Sequence, residues 1–101
     1  MNFSMLKQAQ ELKSKLDKAQ KELSNTIVEA ESGKGAVKVS INGQQKILSI
    51  KISPEVIDPN KVNRLEELIL KAITEATTKS QKLAAKQLKG LTGGLKIPGL
   101  T

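Results

Sequence analysis

The 101-residue chain contains no cysteine and no histidine. Thiolates and imidazoles are the usual protein ligands of zinc, and they supply most enzymatic nucleophiles and general bases that work near neutral pH. Their absence excludes disulfide bonds, thiol catalysis and a metal site built from nitrogen or sulfur ligands. Only carboxylates, lysines and hydroxyls remain as possible catalytic groups.

The remaining acidic and glycine-rich segments do not form a catalytic pattern. Glu66 and Glu67 are adjacent, so on a helix they point about 100° apart and cannot act as paired catalytic carboxylates. The segment Ser32-Gly33-Lys34-Gly35 lacks the spacing of a phosphate-binding loop and precedes a predicted strand instead of a helix. We therefore predict a protein that is not an enzyme and that uses no cofactor, metal or small-molecule substrate.

Aromatic residues and long apolar runs are also scarce. Phe3 is the only aromatic residue, so leucine, isoleucine, valine and alanine must form the core. A chain of this length predicts one domain over residues 1–101, and such a thin core favours association with a second copy. No apolar run approaches the roughly 20 residues of a membrane span, and the first residues lack a secretory signal. We expect a soluble, cytoplasmic protein.

Residues 4–25 are predicted to form the first helix. Ser4 is a plausible N-cap, and the β-branched run that starts at Thr26 indicates where the helix stops. Apolar residues recur at alternating spacings of four and three, which is typical of a heptad seam. The residues of this seam are Met5, Ala9, Leu12, Leu16, Ala19 and Leu23.

Residues 26–53 predict three strands. Val37, Val39 and Ile41 alternate with polar residues and therefore share one face of the second strand. Asn42-Gly43 predicts a two-residue type I′ turn, in which both residues have positive φ. That turn would pair Ile41 with Gln44 and Val37 with Leu48, and would bring Leu48, Ile50 and Ile52 to the face that carries the valines.

A second, longer helix is predicted over residues 59–89. Asp58 would cap its start, Pro59 would occupy its first position, and Gly90 would cap its end, leaving a loose tail over 90–101. The fold class is therefore α+β, with the order α-β-β-β-α and a small antiparallel sheet between two long helices. The apolar residues with helical spacing are Val62, Leu65, Ile69, Ala72, Ile73, Ala76, Ser80, Leu83 and Ala84.

The predicted second helix is longer than the sheet. About 30 helical residues span about 45 Å, whereas six strand residues span about 20 Å. The apolar stripe beyond the sheet must then meet the first helix, a second subunit or both, unless the last turns fray. This length difference is a further indication of a dimer.

The formal charge of +7 lies on the helices. Residues 1–25 carry five lysines against three acids, residues 26–58 are neutral, and residues 59–101 carry eight basic residues against three acids. No acid follows Glu75. On a helical projection, Arg64, Lys71, Lys82 and Lys89 fall within about 20° of one another, with Lys79 and Lys86 beside them.

This basic stripe predicts contact with a polyanion, most simply the phosphates of duplex DNA. The candidate DNA-binding residues are Lys79, Lys82, Lys86, Lys89, Arg64 and Lys71, together with Lys7, Lys18 and Lys21 opposite the seam of the first helix. Lysines near a helix C-terminus also stabilise the helix dipole, so a solvated face is an alternative reading. An anionic membrane is a second alternative, although interfacial helices usually carry aromatic residues.

The mode of nucleic-acid contact follows from the residue types. Single strands and RNA loops are read by stacking on aromatic side chains, which this chain lacks apart from Phe3. Arg64 is the only arginine, so bidentate base readout is scarce and sequence preference should be modest. In an alternative hypothesis, the chain is an interaction scaffold whose apolar seams grip a protein partner.

The segment from Glu31 to Gly43, ESGKGAVKVSING, resembles the central signature of the YbaB/EbfC family. The resemblance extends to Leu6-Lys7-Gln8-Ala9-Gln10, to Ile52-Ser53-Pro54-Glu55 and to Pro98-Gly99-Leu100, with Ser53 where the family often has aspartate. It implies a bacterial, nucleoid-associated protein whose α-β-β-β-α subunits dimerise through their sheets into a tweezer-like assembly. It also implies that the helices contact DNA, and it carries over no catalytic residues.

Overall fold

The computed structural model describes residues 3–92 and confirms the predicted α+β order. Helix α1 spans Phe3–Asn25, and the strands β1, β2 and β3 span Ile27–Ser32, Val37–Asn42 and Ile47–Ile52. A short 3-10 helix at Pro54–Val56 precedes helix α2, which spans Val62–Thr92. Of the predicted loose tail over 90–101, residues 90–92 are helical instead and the rest lies outside the described residues, and the single domain over 1–101 stays a prediction.

The three strands form one antiparallel sheet in the order β1-β2-β3. Val37, Val39 and Ile41 of β2 are buried, and they pack with Ala72 and Ala76 of α2 to form the core. Small alanines on the helix let its backbone approach the sheet closely, which suits a core that has no aromatic residue. α2 covers β1 and β2, so the core lies toward one side of the sheet.

The predicted pairing of β2 with β3 has the wrong register, although Ile50 and Ile52 lie on the predicted face of the sheet. Val37 pairs with Ile52 and Val39 with Ile50, instead of Val37 with Leu48. Near the loop Ile41 pairs with Ile47, and the ladder then shifts by one residue. Because the shift at Val37 is an even number of residues, Ile50 and Ile52 still face the same side as the valines.

The predicted type I′ turn at Asn42-Gly43 is also wrong. Gln45, and neither Asn42 nor Gly43, has positive φ, at 66°. The Gln45 N–H donates to the Asn42 carbonyl at 3.1 Å, and the Asn42 N–H donates to the Lys46 carbonyl at 3.0 Å. This is a three-residue loop that ends in a left-handed residue, the next most common hairpin connection.

The ends of α2 differ from prediction as well. Asp58 organises a turn ahead of the helix, since its carboxylate accepts from the Asn60 N–H at 2.9 Å and its carbonyl accepts from the Lys61 N–H at 2.9 Å. Pro59 lies in that turn, and α2 begins at Val62. At the other end α2 continues through Gly90, which therefore does not cap it.

α2 extends beyond the sheet and meets α1 there. Its 31 residues span about 46 Å. Past Ser80 it runs beside α1, where the Gln87 amide donates to the Glu22 carboxylate at 2.8 Å. We term α1 together with residues 81–92 of α2 the arm. The Cα radius of gyration is 19.4 Å, against about 13 Å for a compact domain of this length.

The arm is attached to the sheet at Asn42 and Gly43. The Gly43 N–H donates to the Leu23 carbonyl at 2.8 Å and to the Thr26 carbonyl at 3.0 Å, which ties the end of α1 to the hairpin. The hydroxyl of Ser80, which is fully buried, donates to the Asn42 carbonyl at 2.7 Å and ties α2 to the same hairpin. We term this set of contacts the joint.

Gly43 is required at the joint because α1 passes too close for a side chain. A Cβ there would lie 2.7 Å from Leu23 Cδ2 and 2.8 Å from the Leu23 carbonyl oxygen. We expect Gly43→Ala to lower the free energy of unfolding by about 1–3 kcal/mol in urea denaturation. Gly90→Ala is the control and should cost nothing, because a Cβ at Gly90 meets no described atom within 4 Å. Equal midpoints for wild type and Gly43→Ala would contradict this account.

Candidate nucleic-acid interface

The six predicted basic residues of α2 are all exposed, but they occupy two different environments. Arg64 and Lys71 lie on the half of α2 that covers the sheet, whereas Lys82, Lys86 and Lys89 lie on the arm. From Arg64 to Lys89 the stripe extends about 37 Å along the helix. The structure therefore divides the predicted stripe into a sheet half and an arm half.

The sheet half has acids beside its basic residues. Lys71 lines a shallow depression together with Glu67 and Glu75, which lie one helical turn before and after it. These carboxylates offset much of the positive potential that Lys71 presents to a ligand. The sheet half of the stripe is consequently a mixed surface, unlike what the projection of basic residues alone predicts.

Lys79 lies at the boundary and is engaged within the subunit. Its ammonium group donates to the backbone carbonyl of Glu29 on β1 at 2.8 Å. The same side chain lines a depression with the side chains of Glu29, Glu31 and Glu75 and with Lys38. Lys79 therefore connects α2 to the first strand, in a depression that acidic residues also line.

The arm half carries Lys82, Lys86 and Lys89, and no acid follows Glu75 in the sequence. Their spacing of four and three residues places them on one side of α2, over about 10 Å of helix. The arm therefore presents three neighbouring cations where the helix projects beyond the sheet.

α1 contributes further lysines to the arm. Lys7, Lys18 and Lys21 are exposed, as are all of residues 3–18. Lys18 and Lys15 line a groove between the two helices, whose volume is about 390 Å³. We term it the arm groove, and its remaining lining residues are Ala19 and Glu22 of α1 and Gln87, Gly90 and Leu91 of α2.

Lys15 is a candidate that the sequence analysis missed. The prediction from sequence included Lys18 because it lies opposite the apolar seam. It omitted Lys15, which lies beside the seam. Because Ala19 at the seam is buried against α2, the side of the seam that carries Lys15 faces the helix–helix groove. The position of Lys15 beside the seam can be read from the sequence. Whether that position faces another helix depends on which helix covers the seam, and the sequence does not show this.

Two further features, a metal site and a membrane-spanning helix, can be assessed within residues 3–92. That range contains no group of three or more acidic side chains arranged to hold a metal ion. None of the helices in the same range is both long and apolar enough to cross a membrane.

Comparisons with known proteins identify the family of this chain. The model of the YbaB/EbfC DNA-binding family matches residues 1–95. A nucleoid-associated protein from Chloroflexus aggregans is 47% identical over 92 residues, which cover 91% of this chain and 92% of the relative. A nucleoid-associated protein from Pelotomaculum thermopropionicum is 46% identical over 96 residues, or 95% of this chain and 91% of the relative.

One solved structure has a similar fold. It is the crystal structure of an uncharacterized protein from Helicobacter pylori, with a TM-score of 0.64 and 18% sequence identity. The match covers 87% of this chain and 98% of that chain. At this identity the likeness concerns the fold alone.

The different surroundings of Lys79 and Lys82 predict different effects on stability. Lys79→Gln removes the donor to the Glu29 carbonyl, and we expect it to lower the free energy of unfolding by about 0.5–1 kcal/mol. Lys82→Gln removes the same charge from the arm and should change stability by less. Urea denaturation of both variants measures the difference, and a larger loss for Lys82→Gln would contradict the assigned role of Lys79.

Proposed function

The chain belongs to the YbaB/EbfC DNA-binding family, and on this premise we propose that it is a non-enzymatic, nucleoid-associated protein that binds duplex DNA as a homodimer. The observation that carries the proposal is the arm half of α2, where Lys82, Lys86 and Lys89 project beyond the sheet with no acid on the same segment. We place the protein at the nucleoid in the cytoplasm, with duplex DNA and a second copy as its partners.

Phosphate contact is the mode of binding that these residues support. Lysine ammonium groups act as flexible point charges, and each phosphate they neutralise releases condensed counterions. Lys18 and Lys21 on α1 and the three arm lysines of α2 all lie on the same projecting pair of helices. We assign primary contacts to these lysines, and secondary ones to Lys7, Lys71 and Arg64.

Modest sequence preference follows from the position of Arg64. It precedes Lys82 by 18 residues, so the only arginine lies about 27 Å from the arm lysines along α2. Bidentate guanine readout would therefore be separated from the main cluster of phosphate contacts. The arm itself carries lysines but no arginine for guanine readout.

Exposed apolar side chains on β3 support the homodimer. Ile47, Leu48 and Ile50 are 41%, 45% and 43% exposed on an edge strand that α2 does not cover. Edge strands of monomers are usually protected by charge or by a covering element, because unpaired apolar edges associate. A second copy packed on β3 would bury these residues and enlarge a core that is thin in one subunit.

One observation favours a second candidate function. Of the seam of α1, Ala19 and Leu23 are buried, whereas Met5, Leu12 and Leu16 are exposed. A protein partner could bind this unpartnered seam, in which case the chain would act as an interaction scaffold. Changing Ala9, Leu12 and Leu16 to polar residues would abolish that activity and leave DNA affinity unchanged.

The dependence of affinity on salt tests phosphate contact. If the dimer contacts about six phosphates, log K should fall with log[salt] at a slope of about −5. Filter binding with several unrelated duplexes, over a series of salt concentrations, measures this slope. A slope near zero at measurable affinity would contradict binding through phosphates, and strong dependence on sequence would argue for base readout.

A matched pair of triple variants tests the location of the contacts. Changing Lys82, Lys86 and Lys89 to glutamine should weaken binding to every duplex alike and make the salt slope shallower, because phosphate contacts are lost. Changing Lys34, Lys51 and Lys61 to glutamine removes the same charge from exposed positions outside the arm. Equal losses in the two triple variants would show that net charge, and not the arm, determines affinity.

The dimer has its own test in sedimentation equilibrium. We expect the mass of two subunits at micromolar concentration, and a shift toward one subunit for Ile50→Glu, because a charge would be buried in the interface. Ile27→Glu is the control, since Ile27 is 59% exposed on the other edge strand. Circular dichroism establishes that both variants fold. A single-subunit mass for the wild type would overturn the dimer.

A further inference from the structure

Gly90 lies within α2, two residues before its last described helical residue. Glycine in a helix costs up to about 1 kcal/mol relative to alanine, so its presence calls for a physical reason. Its backbone does not supply one, because the described glycines with positive φ are Gly33 and Gly35. Packing does not supply one either, since a Cβ at Gly90 would meet no atom of the described residues within 4 Å.

The position of Gly90 in the arm groove does supply a reason. Gly90 lies on the wall of the groove opposite Lys15 and Lys18 of α1. A missing side chain lets a ligand approach the helix backbone closely, which is a common use of glycine in binding sites. Lys86 precedes Gly90 by one helical turn and lies on the same side of α2.

The charges that line the groove favour an anion. Lys15 and Lys18 contribute two ammonium groups, and Glu22 is the only acid among the described residues that line the groove. The Glu22 carboxylate accepts a hydrogen bond from the Gln87 amide at 2.8 Å, which holds it against α2. The groove therefore combines excess positive charge with a stretch of helix surface that no other described residue covers at Gly90.

We propose that the arm groove is a binding site for one backbone phosphate of duplex DNA. The phosphate contacts Lys15 and Lys18 on one side, and the strand passes over the backbone of α2 where Gly90 has no side chain. This inference rests on the proposed DNA binding and extends it, because it assigns one phosphate contact to residues of both helices. Lys15 thereby becomes a binding residue, and Gly90 becomes the residue that admits the strand.

The proposal predicts that filling the groove has opposite effects on stability and on binding. Gly90→Ala should leave the midpoint of unfolding unchanged or raise it, yet weaken binding to duplex DNA. Gly90→Leu should weaken binding further, because the larger side chain blocks the strand. For each groove that is blocked, the slope of log K against log[salt] should become shallower by about 0.9, which corresponds to one phosphate.

Two controls separate filling of the groove from changes in the helix. The double variant Ala85→Gly with Gly90→Ala restores one glycine to α2 on its opposite, exposed side, and its affinity should stay as low as that of Gly90→Ala. Lys15→Gln should weaken binding, whereas Lys13→Gln should not, because Lys13 lies about 160° away on α1.

A double-mutant cycle between the two helices gives the sharpest test. If Lys15 and Gly90 serve the same phosphate, Lys15→Gln should cost much less affinity in the Gly90→Leu background than in the wild type. Filter binding of a random-sequence duplex at several salt concentrations is the measurement, with unfolding midpoints recorded for each variant. Strictly additive losses of affinity would show that Lys15 and Gly90 do not serve the same phosphate, and would overturn the proposed site.

The outcomes distinguish this inference from the function on which it rests. If the wild type binds duplex DNA with a steep salt slope but Gly90→Leu retains both the affinity and the slope, the proposed phosphate site in the arm groove is wrong and the proposed function stands. If the wild type does not bind duplex DNA at low salt, both are wrong. The phosphate site is supported if Gly90→Leu binds duplex DNA more weakly, with a shallower salt slope and an unchanged unfolding midpoint.

Discussion

The arrangement of the molecule depends on the close approach of α1 to the β2–β3 hairpin at Gly43. The Leu23 carbonyl of α1 and the Thr26 carbonyl just after the helix both accept from the Gly43 N–H, and a side chain at Gly43 would collide with Leu23. Ser80 binds the neighbouring Asn42 carbonyl from α2. Because both helices are tied to the same two residues, they leave the sheet side by side and form one arm.

The surface chemistry of the arm follows from this attachment. Side-by-side helices create a groove that neither helix has alone, and they bring Lys15 and Lys18 of α1 next to the last turns of α2. On the sheet half of α2, Lys71 lies beside Glu67 and Glu75, so its charge is offset. The same helix is thus a structural element over the sheet and a cationic surface beyond it.

Much of the fold could be predicted because it rests on local periodicity. Spacings of three and four identified both helices, and alternation identified the face that carries Val37 and Val39 even though the register was wrong. The loop could not be predicted from Asn42-Gly43 alone. That dipeptide favours a tight turn in isolation, whereas here the Gly43 N–H bonds to α1, some 20 residues earlier in the chain. Such a partner is invisible to a rule based on neighbouring residues.

The amino-acid sequence by itself determined the order of elements, the apolar faces, the excess of positive charge on the helices and the family resemblance, because each is a property of residue spacing or composition. The tertiary structure alone decided which basic residues can act together. In the tertiary structure Lys79 donates to β1, Lys15 lines the groove, and no other described residue covers α2 at Gly90. These outcomes depend on the relative placement of two helices separated by a sheet, and helical projections contain no information about that placement.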